Sequence, residues 1–263
     1  MNEVLTIERD GRVVTLTLNR PEVMNALDPD MARALHIALE SLAKDGDVRC
    51  VIIRGAGGNF MAGGDVGFFH ASLDRLGSGG ETFLEPVFAN AHGLIRSLRN
   101  MPQPVIAAVE GAVAGFGISL MAACDLAVAS KISQFSLAYC HIGTCPDGGS
   151  TWFLPRLIGL RRASELALLG ESFDAATAER IGLVNRLVEP AALGQTVAQL
   201  AGRLAQGSAS AQAATKALLN ASLEAGLEQQ LDAEQRAFIR CAGSADFAEG
   251  VTAFVEKRKP DFQ

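Results

Sequence analysis

Two glycine-bearing segments, about fifty residues apart, constrain the fold more than any other feature of the sequence. Phe60 to Asp65 follows the β-branched run Val51 to Ile53, and Gly111 to Ser119 follows the apolar run Val105 to Val109. Each segment precedes a helix-like stretch, so both are predicted to be strand-to-turn-to-helix corners. Such corners leave backbone N–H groups unpaired at a helix start, where they can bind an anion or a developing oxyanion. The glycines are also consistent with tight turns and close packing alone.

Strand and helix signals alternate through the first half of the chain. Residues 13–18 and 50–54 read as strands, whereas residues 29–44 and 83–99 carry apolar residues at helical spacing. Strands that alternate with helices favour a parallel sheet. We therefore predict an α/β core. Further short strands are predicted at residues 126–129, 134–137 and 183–187.

After about residue 190 the strand signals stop. The rest of the chain consists of four helix-like stretches rich in Ala, Leu, Glu and Gln, at residues 190–206, 209–222, 226–240 and 244–257. We therefore predict that residues 1–190 form the core with the functional site. Residues 191–263 are predicted to form a C-terminal helical subdomain.

A glycine-rich stretch interrupts the helical pattern of the first half. Residues 71–84 contain the run Leu76-Gly77-Ser78-Gly79-Gly80 and are predicted to form a loop before a helix. A lid over a ligand and an ordinary surface loop both fit this pattern.

Composition and charge limit the classes of function. The 263 residues are 49% apolar and 20% charged with a net charge of −6, which disfavours nucleic acid as a partner. The apolar window Gly111 to Cys124 is too short to span a membrane. The first residues lack the basic and apolar regions of a signal peptide, so we expect a cytoplasmic protein. The five cysteines include no CxxC pair and the four histidines are scattered, so no metal site is predicted.

Five segments of the chain carry recognisable motifs: Leu18 to Leu27, Phe60 to Asp65, Pro104 to Ser119, Gly143 to Gly149 and Phe254 to Arg258. Together they resemble the enoyl-CoA hydratase/isomerase (crotonase) family, and the similarity runs from about residue 3 to residue 260. The resemblance implies a crotonase-like spiral of ββα units with a C-terminal helical trimerisation region. It also implies acyl-CoA thioester substrates and a role in fatty acid or aromatic acid metabolism.

The same resemblance implies where a substrate would bind. The two N–H donors of an oxyanion hole fall on Gly64 and Phe116, where the family usually has glycine at the second position. A side chain does not remove the peptide N–H, so we expect the hole to survive beside a reshaped acyl pocket. The resemblance implies a further set of residues along the path of coenzyme A, the last two reaching it from a neighbouring subunit: Met24, Ala26, Ala62, Asp65, Val66, Phe254 and Lys257.

Two glutamates that hydratases of this family use to handle water are absent. The chain has Ser119 at one of these positions and Tyr139 at the other. Neither side chain readily activates water and delivers a proton near neutral pH, so efficient hydration is not expected. Both residues are instead expected to line the pocket, where packing alone is a sufficient role.

Asp147 is the candidate catalytic acid. In isolation, an aspartate in the turn Pro146-Asp147-Gly148-Gly149 is also a common turn former or helix cap. The resemblance places it at the acidic position of several enoyl-CoA isomerases, and the run Pro146 to Arg156 is most similar to the 1,2-epoxyphenylacetyl-CoA isomerase subgroup. One carboxylate suits an isomerase, because a single base can take a proton from one carbon and return it to another.

Three alternatives remain open at this stage. The 4-chlorobenzoyl-CoA dehalogenases have an aspartate at the Asp147 position, an aromatic residue at the Tyr139 position and a histidine to which His92 corresponds. A partly buried helix histidine without a catalytic role is the commoner outcome for residues such as those around His92. Hydratase-like activity, or an acyl-CoA-binding member without catalysis, would also fit the family.

The resemblance finally implies partners. Coenzyme A enters as part of the substrate, and no metal or prosthetic group is expected. A homotrimer or a hexamer built as a dimer of trimers is expected from the family.

Overall fold

The strands of the computed structural model, which describes residues 3–77 and 80–262, form two sheets. The strands of the described part are β1 (Leu5–Asp10), β2 (Val13–Leu18), β3 (Cys50–Gly55), β4 (Val105–Val109), β5 (Ala112–Ala114), β6 (Leu126–Ser130), β7 (Gln134–Ser136), β8 (Phe173–Asp174) and β9 (Arg186–Val188). The larger sheet has the order β1-β2-β3-β4-β6-β9, in which β1 and β2 are antiparallel and the remaining pairs are parallel. The smaller sheet has the order β5-β7-β8.

The helices follow the strands in the alternation that the sequence predicts. Within the described residues they are α1 (Pro29–Lys44), α2 (Val66–Ala71), α3 (Leu73–Gly77), α4 (Gly80–Asn100), α5 (Phe116–Ala123), α6 (Ser150–Ile158), α7 (Leu160–Leu169), α8 (Ala175–Arg180), α9 (Leu193–Ala205), α10 (Ala209–Ser222), α11 (Leu227–Ala242) and α12 (Ala245–Val255).

Both faces of the larger sheet are covered, which explains the continuous apolar character of its central strands. On β3, Val51 and Ile53 belong to the main core, whereas Cys50 and Ile52 belong to a second core on the opposite face. The second core is completed by α9, through residues such as Leu200. Successive strand residues therefore serve different cores, as the alternation of side chains across a strand requires.

Helix α1 shows why the sequence determines a helix boundary well. Asp28 precedes the helix and its carboxylate accepts the N–H of Met31 at 2.8 Å, while proline occupies the first helical position. Met31, Leu35 and Leu39 are fully buried at helical spacing. The helix spans the same residues, 29–44, that the periodicity predicts.

The prediction of a loop over residues 71–84 is wrong for the described residues of that stretch. α2 extends to Ala71, α3 covers Leu73–Gly77, and α4 begins at Gly80, while residues 78 and 79 lie outside the described residues. Aromatic contacts stabilise these helices against their glycine content: Phe68 stacks on Phe83 with centroids 5.9 Å apart, and the Arg75 guanidinium lies 3.9 Å from the Phe83 ring centroid.

The predicted strand at residues 183–187 is displaced. The strand is β9, Arg186–Val188, because Leu183 and Val184 are buried in the main core before the strand begins. The helical character of the chain after residue 190 is confirmed, with α9 packed on the sheet and α10 to α12 following it. The division into units 1–190 and 191–263 stays a prediction.

Candidate active site

The two glycine corners run side by side. Met61 and Val113 form a parallel bridge, in which Met61 N–H donates to the Ala112 carbonyl at 3.1 Å and Ala114 N–H donates to the Met61 carbonyl at 2.8 Å. Gly64 and Phe116 each follow their bridge residue by three positions, so the two corners turn at matching points.

Close contact between the corners requires glycine. Gly63 has φ +102°, and a Cβ added there would lie 3.2 Å from the Ala114 carbonyl oxygen and 3.5 Å from the Gly115 Cα. Gly115 has φ +48° and faces Gly63 from the other side. Positive φ values and close backbone approach are the two situations in which a side chain is least tolerated.

Among the described residues, the N–H groups of Gly64 and Phe116 have no hydrogen-bond acceptor, and neither does that of Gly63. Two amides beside them are paired, since Asp65 N–H donates to the Leu27 carbonyl and Gly115 N–H donates to the Ser136 carbonyl, each at 2.9 Å. Phe116 is the first residue of α5, where an N–H has no partner inside the helix. An unpaired N–H on each of two adjacent corners is a prerequisite for binding a developing oxyanion.

Asp147 is held at both its side chain and its main chain. The Tyr139 hydroxyl donates to Oδ1 of the Asp147 carboxylate at 2.5 Å. The Asp147 carbonyl oxygen accepts the hydroxyls of Ser119, at 2.8 Å, and Ser150, at 3.0 Å, as well as the Ser150 N–H at 3.1 Å. Both serines are fully buried. One side chain therefore holds the carboxylate of Asp147, and two others hold its main chain.

Burial controls the ionisation of this pair. Burial raises the pKa of the Asp147 carboxyl above its ordinary value, while the hydrogen bond from Tyr139 and the charge of His92 oppose that rise. The pKa of the Tyr139 phenol is raised by burial first and then by the neighbouring Asp147 charge. A carboxyl with a raised pKa beside a protonated phenol suits proton transfer near neutral pH.

The Asp147 turn packs directly against the second corner. A Cβ added to Gly148, which has φ +58°, would lie 2.7 Å from Cε2 of Phe116 and 2.8 Å from Cβ of Ser119. The Tyr139 ring approaches from the other side, because its Cζ lies 3.8 Å from the position of a Cβ on Gly115. Gly148, next to Asp147 in the chain, therefore packs against Phe116, and Tyr139, which binds the Asp147 carboxylate, packs against Gly115.

His92 lies on α4, with an exposed ring whose centroid is 5.5 Å from that of Phe88. It is close enough for its charge to lower the pKa of Asp147. A direct hydrogen bond between the two side chains is not among those of the described residues.

The segment predicted to carry coenzyme A contacts lies against the first corner. Ala62 N–H donates to the Met24 carbonyl at 3.0 Å, and Leu27 N–H donates to the Gly63 carbonyl at 2.7 Å. Met24 and Val66 are exposed, at 47% and 55%, and Ala26 is buried. The structure therefore brings these residues to one region, and their contact with a ligand stays a prediction.

Asp65 has a defined role within the protein itself. Its Oδ1 accepts the Phe68 N–H at 3.0 Å, which caps α2, and its Oδ2 pairs with Arg20 at 2.8 Å. Arg20 also lies 3.4 Å from the carboxylate of Asp28. Burial would raise the pKa of Asp65, but its hydrogen bonds and the Arg20 charge outweigh burial, so that the pKa is lowered.

Phe254 and Lys257 lie far along the chain, near the end of α12. Phe254 is 85% exposed, and Lys257 follows the helix with φ +57°. Exposure of so large an apolar ring is consistent with cover by another molecule. A contact of either residue with coenzyme A stays a prediction.

Comparison with known proteins assigns the family. A sequence model of enoyl-CoA hydratase/isomerase matches residues 8–263 of the chain. The chain belongs to the enoyl-CoA hydratase/isomerase family. The chain is an acyl-CoA enzyme of this family, and the corners and Asp147 are its candidate active site.

Members of the enoyl-CoA hydratase/isomerase family with curated names include both kinds of activity. The 1,2-epoxyphenylacetyl-CoA isomerase of Escherichia coli strain K12 is 37% identical over 267 residues, covering 100% of this chain and 99% of the relative. A probable enoyl-CoA hydratase of Rhodobacter capsulatus is 38% identical over 250 residues, covering 95% of this chain and 94% of the relative.

Solved structures of the enoyl-CoA hydratase/isomerase family confirm the predicted crotonase fold. An enoyl-CoA hydratase from Polaromonas sp. JS666 matches with a TM-score of 0.93 at 35% identity, covering 98% of this chain and 99% of that one. Among residues 3–77 and 80–262, no helix has the length and apolar character needed to cross a bilayer.

Four residues of this family member's site were not identified from the sequence. Ser150 and Gly148 hold the Asp147 turn, Arg20 pairs with Asp65, and Phe69 places its Cε2 3.2 Å from the position of a Cβ on Gly64. A serine that opens a helix directly after a Gly-Gly turn is the one local signal among them. The other three contacts arise from tertiary structure.

Proposed function

We propose that this enzyme is an enoyl-CoA isomerase, which shifts a double bond or a ring-derived alkene along the acyl chain of a coenzyme A thioester. In this proposal the N–H groups of Gly64 and Phe116 bind the thioester oxygen, and Asp147 moves the proton. One observation carries the proposal: the partly buried carboxylate of Asp147 belongs to a turn that packs, through Gly148, against Phe116, whose N–H is unpaired.

The proton transfer balances with one acid–base group. The ionised Asp147 carboxylate takes a proton from the carbon between the β,γ-alkene and the thioester carbonyl. The electron pair that is left spreads over the alkene and onto the thioester oxygen, where two N–H donors stabilise the negative charge. The same carboxyl then returns the proton to the γ-carbon, which yields the conjugated α,β-enoyl thioester.

Hydration is disfavoured by the same residues. A hydratase needs one group to activate water and another to deliver a proton. The two positions at which the resemblance implies hydratase glutamates carry Ser119 and Tyr139, whose hydroxyls are engaged with Asp147. Among the relatives, the name of the Escherichia coli isomerase supports the proposal, and the hydratase names define the alternative to be tested.

Removal of the Asp147 charge tests the proposal. We expect Asp147→Asn to lower the rate of β,γ-to-α,β isomerisation of an enoyl-CoA about 100- to 10,000-fold, as loss of a general base does. The growth of conjugated enoyl thioester absorbance measures the rate. Asp174→Asn is the matched control, because Asp174 caps α8 through the Thr177 N–H and is expected to leave the rate unchanged.

Other outcomes would contradict the proposal in distinct ways. Full isomerisation by Asp147→Asn with an intact fold would remove Asp147 from the mechanism. Chloride release from 4-chlorobenzoyl-CoA would instead favour the dehalogenase reaction, for which His92 beside Asp147 is the supporting observation. Hydration of an α,β-enoyl-CoA, or binding of thioesters without turnover of any of the three substrates, would favour the remaining alternatives.

Cofactor requirement and oligomeric state follow from the same proposal. The carboxylate and two main-chain donors suffice for the reaction, so no metal or prosthetic group is proposed, and coenzyme A is part of the substrate. We propose a homotrimer or a dimer of trimers in the cytoplasm. Large exposed apolar side chains on the C-terminal helices support assembly, among them Leu227, Phe238 and Phe254.

A further inference from the structure

We propose that Tyr139 is a positioning residue, whose hydroxyl holds Oδ1 of Asp147 so that Oδ2 is the oxygen that carries the proton. This inference rests on the proposed function of Asp147. Tyr139 occupies one of the two positions where hydratases of the family have glutamate, and its role here is to orient the carboxylate of Asp147.

The hydrogen bond from Tyr139 involves only one of the two carboxylate oxygens of Asp147. The Tyr139 hydroxyl donates to Oδ1 at 2.5 Å, whereas Oδ2 accepts no hydrogen bond from another of the described residues. The two carboxylate oxygens are therefore unequal before a substrate binds. An oxygen already engaged with a donor is the weaker base, so proton transfer falls to the other.

The rest of Asp147 is already fixed. Ser119 and Ser150 bind its carbonyl oxygen from two helices, α5 and α6, and both hydroxyls are fully buried. With the main chain held, the remaining freedom is rotation of the side chain, which the Tyr139 hydroxyl restricts. Placement of a catalytic group matters, because an error of about 1 Å can lower a rate about a hundredfold.

Tyr139 is itself held in place. It begins a short 3₁₀ helix, Tyr139–Ile142, after Ala138 in a left-handed conformation with φ +42°. Its carbonyl oxygen accepts the Thr144 N–H at 3.2 Å, and its ring packs against the main core beside Gly115. The phenol is therefore presented to Asp147 by a constrained segment of backbone.

The charges around the pair favour a permanent donor. Burial and the Asp147 charge raise the pKa of Tyr139, so the phenol stays protonated at neutral pH. From α4, His92 acts on Asp147, while α5 has no titratable side chain. On the 3₁₀ helix, His141 contacts the Gly170 carbonyl with Nε2, and its Nδ1 lies near Cys140. On α6, Arg156 lies over Trp152.

Tyr139→Phe tests the role in catalysis, because it keeps the ring and removes only the hydroxyl. We expect kcat to fall about ten- to a hundredfold with little change in KM. The acid limb of the pH–rate profile should move to higher pH, because the hydrogen bond that opposes protonation of Asp147 is lost. Ser150→Ala is the matched control, since it also removes a hydroxyl bound to Asp147, but at the carbonyl, and should leave the acid limb in place.

A second measurement reads the contact without substrate. Tyr139 is the single tyrosine of the chain, so tyrosinate absorbance titrates this residue alone. In the wild-type protein the phenol should ionise above the ordinary value of about 10. In Asp147→Asn it should ionise at lower pH than in the wild type, because the neighbouring negative charge is gone. Circular dichroism on the same samples ensures that only folded protein is compared.

The two measurements separate the possible failures. An unchanged tyrosinate titration in Asp147→Asn would overturn the hold of Tyr139 on Asp147. A Tyr139→Phe variant with wild-type kcat and an unmoved acid limb would overturn the positioning role. If the wild type fails to isomerise any enoyl-CoA, the proposed function fails, whereas a shifted tyrosinate titration still supports the hold on Asp147.

Discussion

The two corners of the candidate oxyanion hole share a backbone design but differ in what supports it. The first, Gly63 to Asp65, is supported by polar side chains, since Asp65 caps α2 and pairs with Arg20. The second, Gly115 to Phe116, has no side-chain cap, and every residue of the helix that follows it is buried. One corner thus depends on charge and the other on packing.

The difference shows that a main-chain site constrains side chains only indirectly. Both corners have glycine where the backbones meet, and in both a main-chain N–H lacks an acceptor among the described residues. Beyond that, the polar corner should respond to changes of charge and pH, and the packed corner to changes of volume. A substitution in one corner, or in the turn packed against it, should therefore leave the other corner unaffected.

The largest effect is expected from Phe116→Pro. Phe116 is the first residue of α5, a position where proline fits the helix and lacks only the N–H. Loss of one oxyanion donor typically costs about 2.7–4 kcal/mol of transition-state stabilisation, or a 100- to 1,000-fold lower kcat. Steady-state kinetics of isomerisation measure the effect.

Phe116→Ala is the control for this variant, because it removes the same ring but keeps the N–H. Both variants leave a cavity against the Gly148 turn, so circular dichroism and thermal unfolding should show similar stability losses. The difference in kcat between them isolates the N–H. Equal rates for the two would show that the Phe116 N–H does not bind the thioester oxygen.

A smaller effect is expected where the Asp147 turn meets the packed corner. Gly148→Ala would place a Cβ 2.7 Å from Cε2 of Phe116 in a residue with φ +58°. We expect a stability loss of roughly 2–3 kcal/mol, part from the left-handed backbone and part from overpacking. Urea unfolding measures it.

Gly143→Ala separates the two contributions. Gly143 also has a positive φ, +72°, but a Cβ there would meet no atom within 4 Å. It should therefore cost only the backbone part, about 1–2 kcal/mol. If Gly143→Ala destabilises the protein as much as Gly148→Ala does, tight packing between the turn and Phe116 is not the cause.

The fold was predictable where burial leaves a periodic trace in the sequence. Strands β3 and β4 are buried on both faces, which makes them continuous apolar runs, and α1 has a cap and a stripe at helical spacing. The stretch from residue 71 to residue 77 was not predictable, because its helices depend on aromatic contacts such as Phe68 with Phe83. Local glycine content indicated a loop there.

The site was predictable only in part for a similar reason. The corners are local features that the sequence indicates, whereas the choice of Gly64 and Phe116 within them rests on the resemblance to the family. The contact of Asp147 with Ser119 is not local, because Ser119 is 28 residues away and its hydroxyl binds the Asp147 main chain. Arg20 reaches Asp65 across 45 residues. Spacing along the chain carries no trace of such pairs, and the fold has to be known first.

The smallest effect is expected at the polar corner. Asp65→Ala removes both the cap of α2 and the partner of Arg20, which should lower the free energy of unfolding by about 1–2 kcal/mol at pH 7. Asp65→Asn keeps a capping oxygen and removes only the charge, so it should cost less than about 1 kcal/mol. Thermal or urea unfolding of both variants measures the difference.

The stabilisation that Asp65 contributes should decrease as the pH is lowered. The pKa of Asp65 is lowered in the folded protein, so its ionic stabilisation is complete above the unfolded value of about 3.9 and is lost as pH falls through the folded value. The stability gap between wild type and Asp65→Asn should therefore be constant near neutral pH and shrink below about pH 4. A gap that persists unchanged at lower pH would mean that Asp65 supports its corner through hydrogen bonds alone, and the contrast between a charged and a packed corner would be lost.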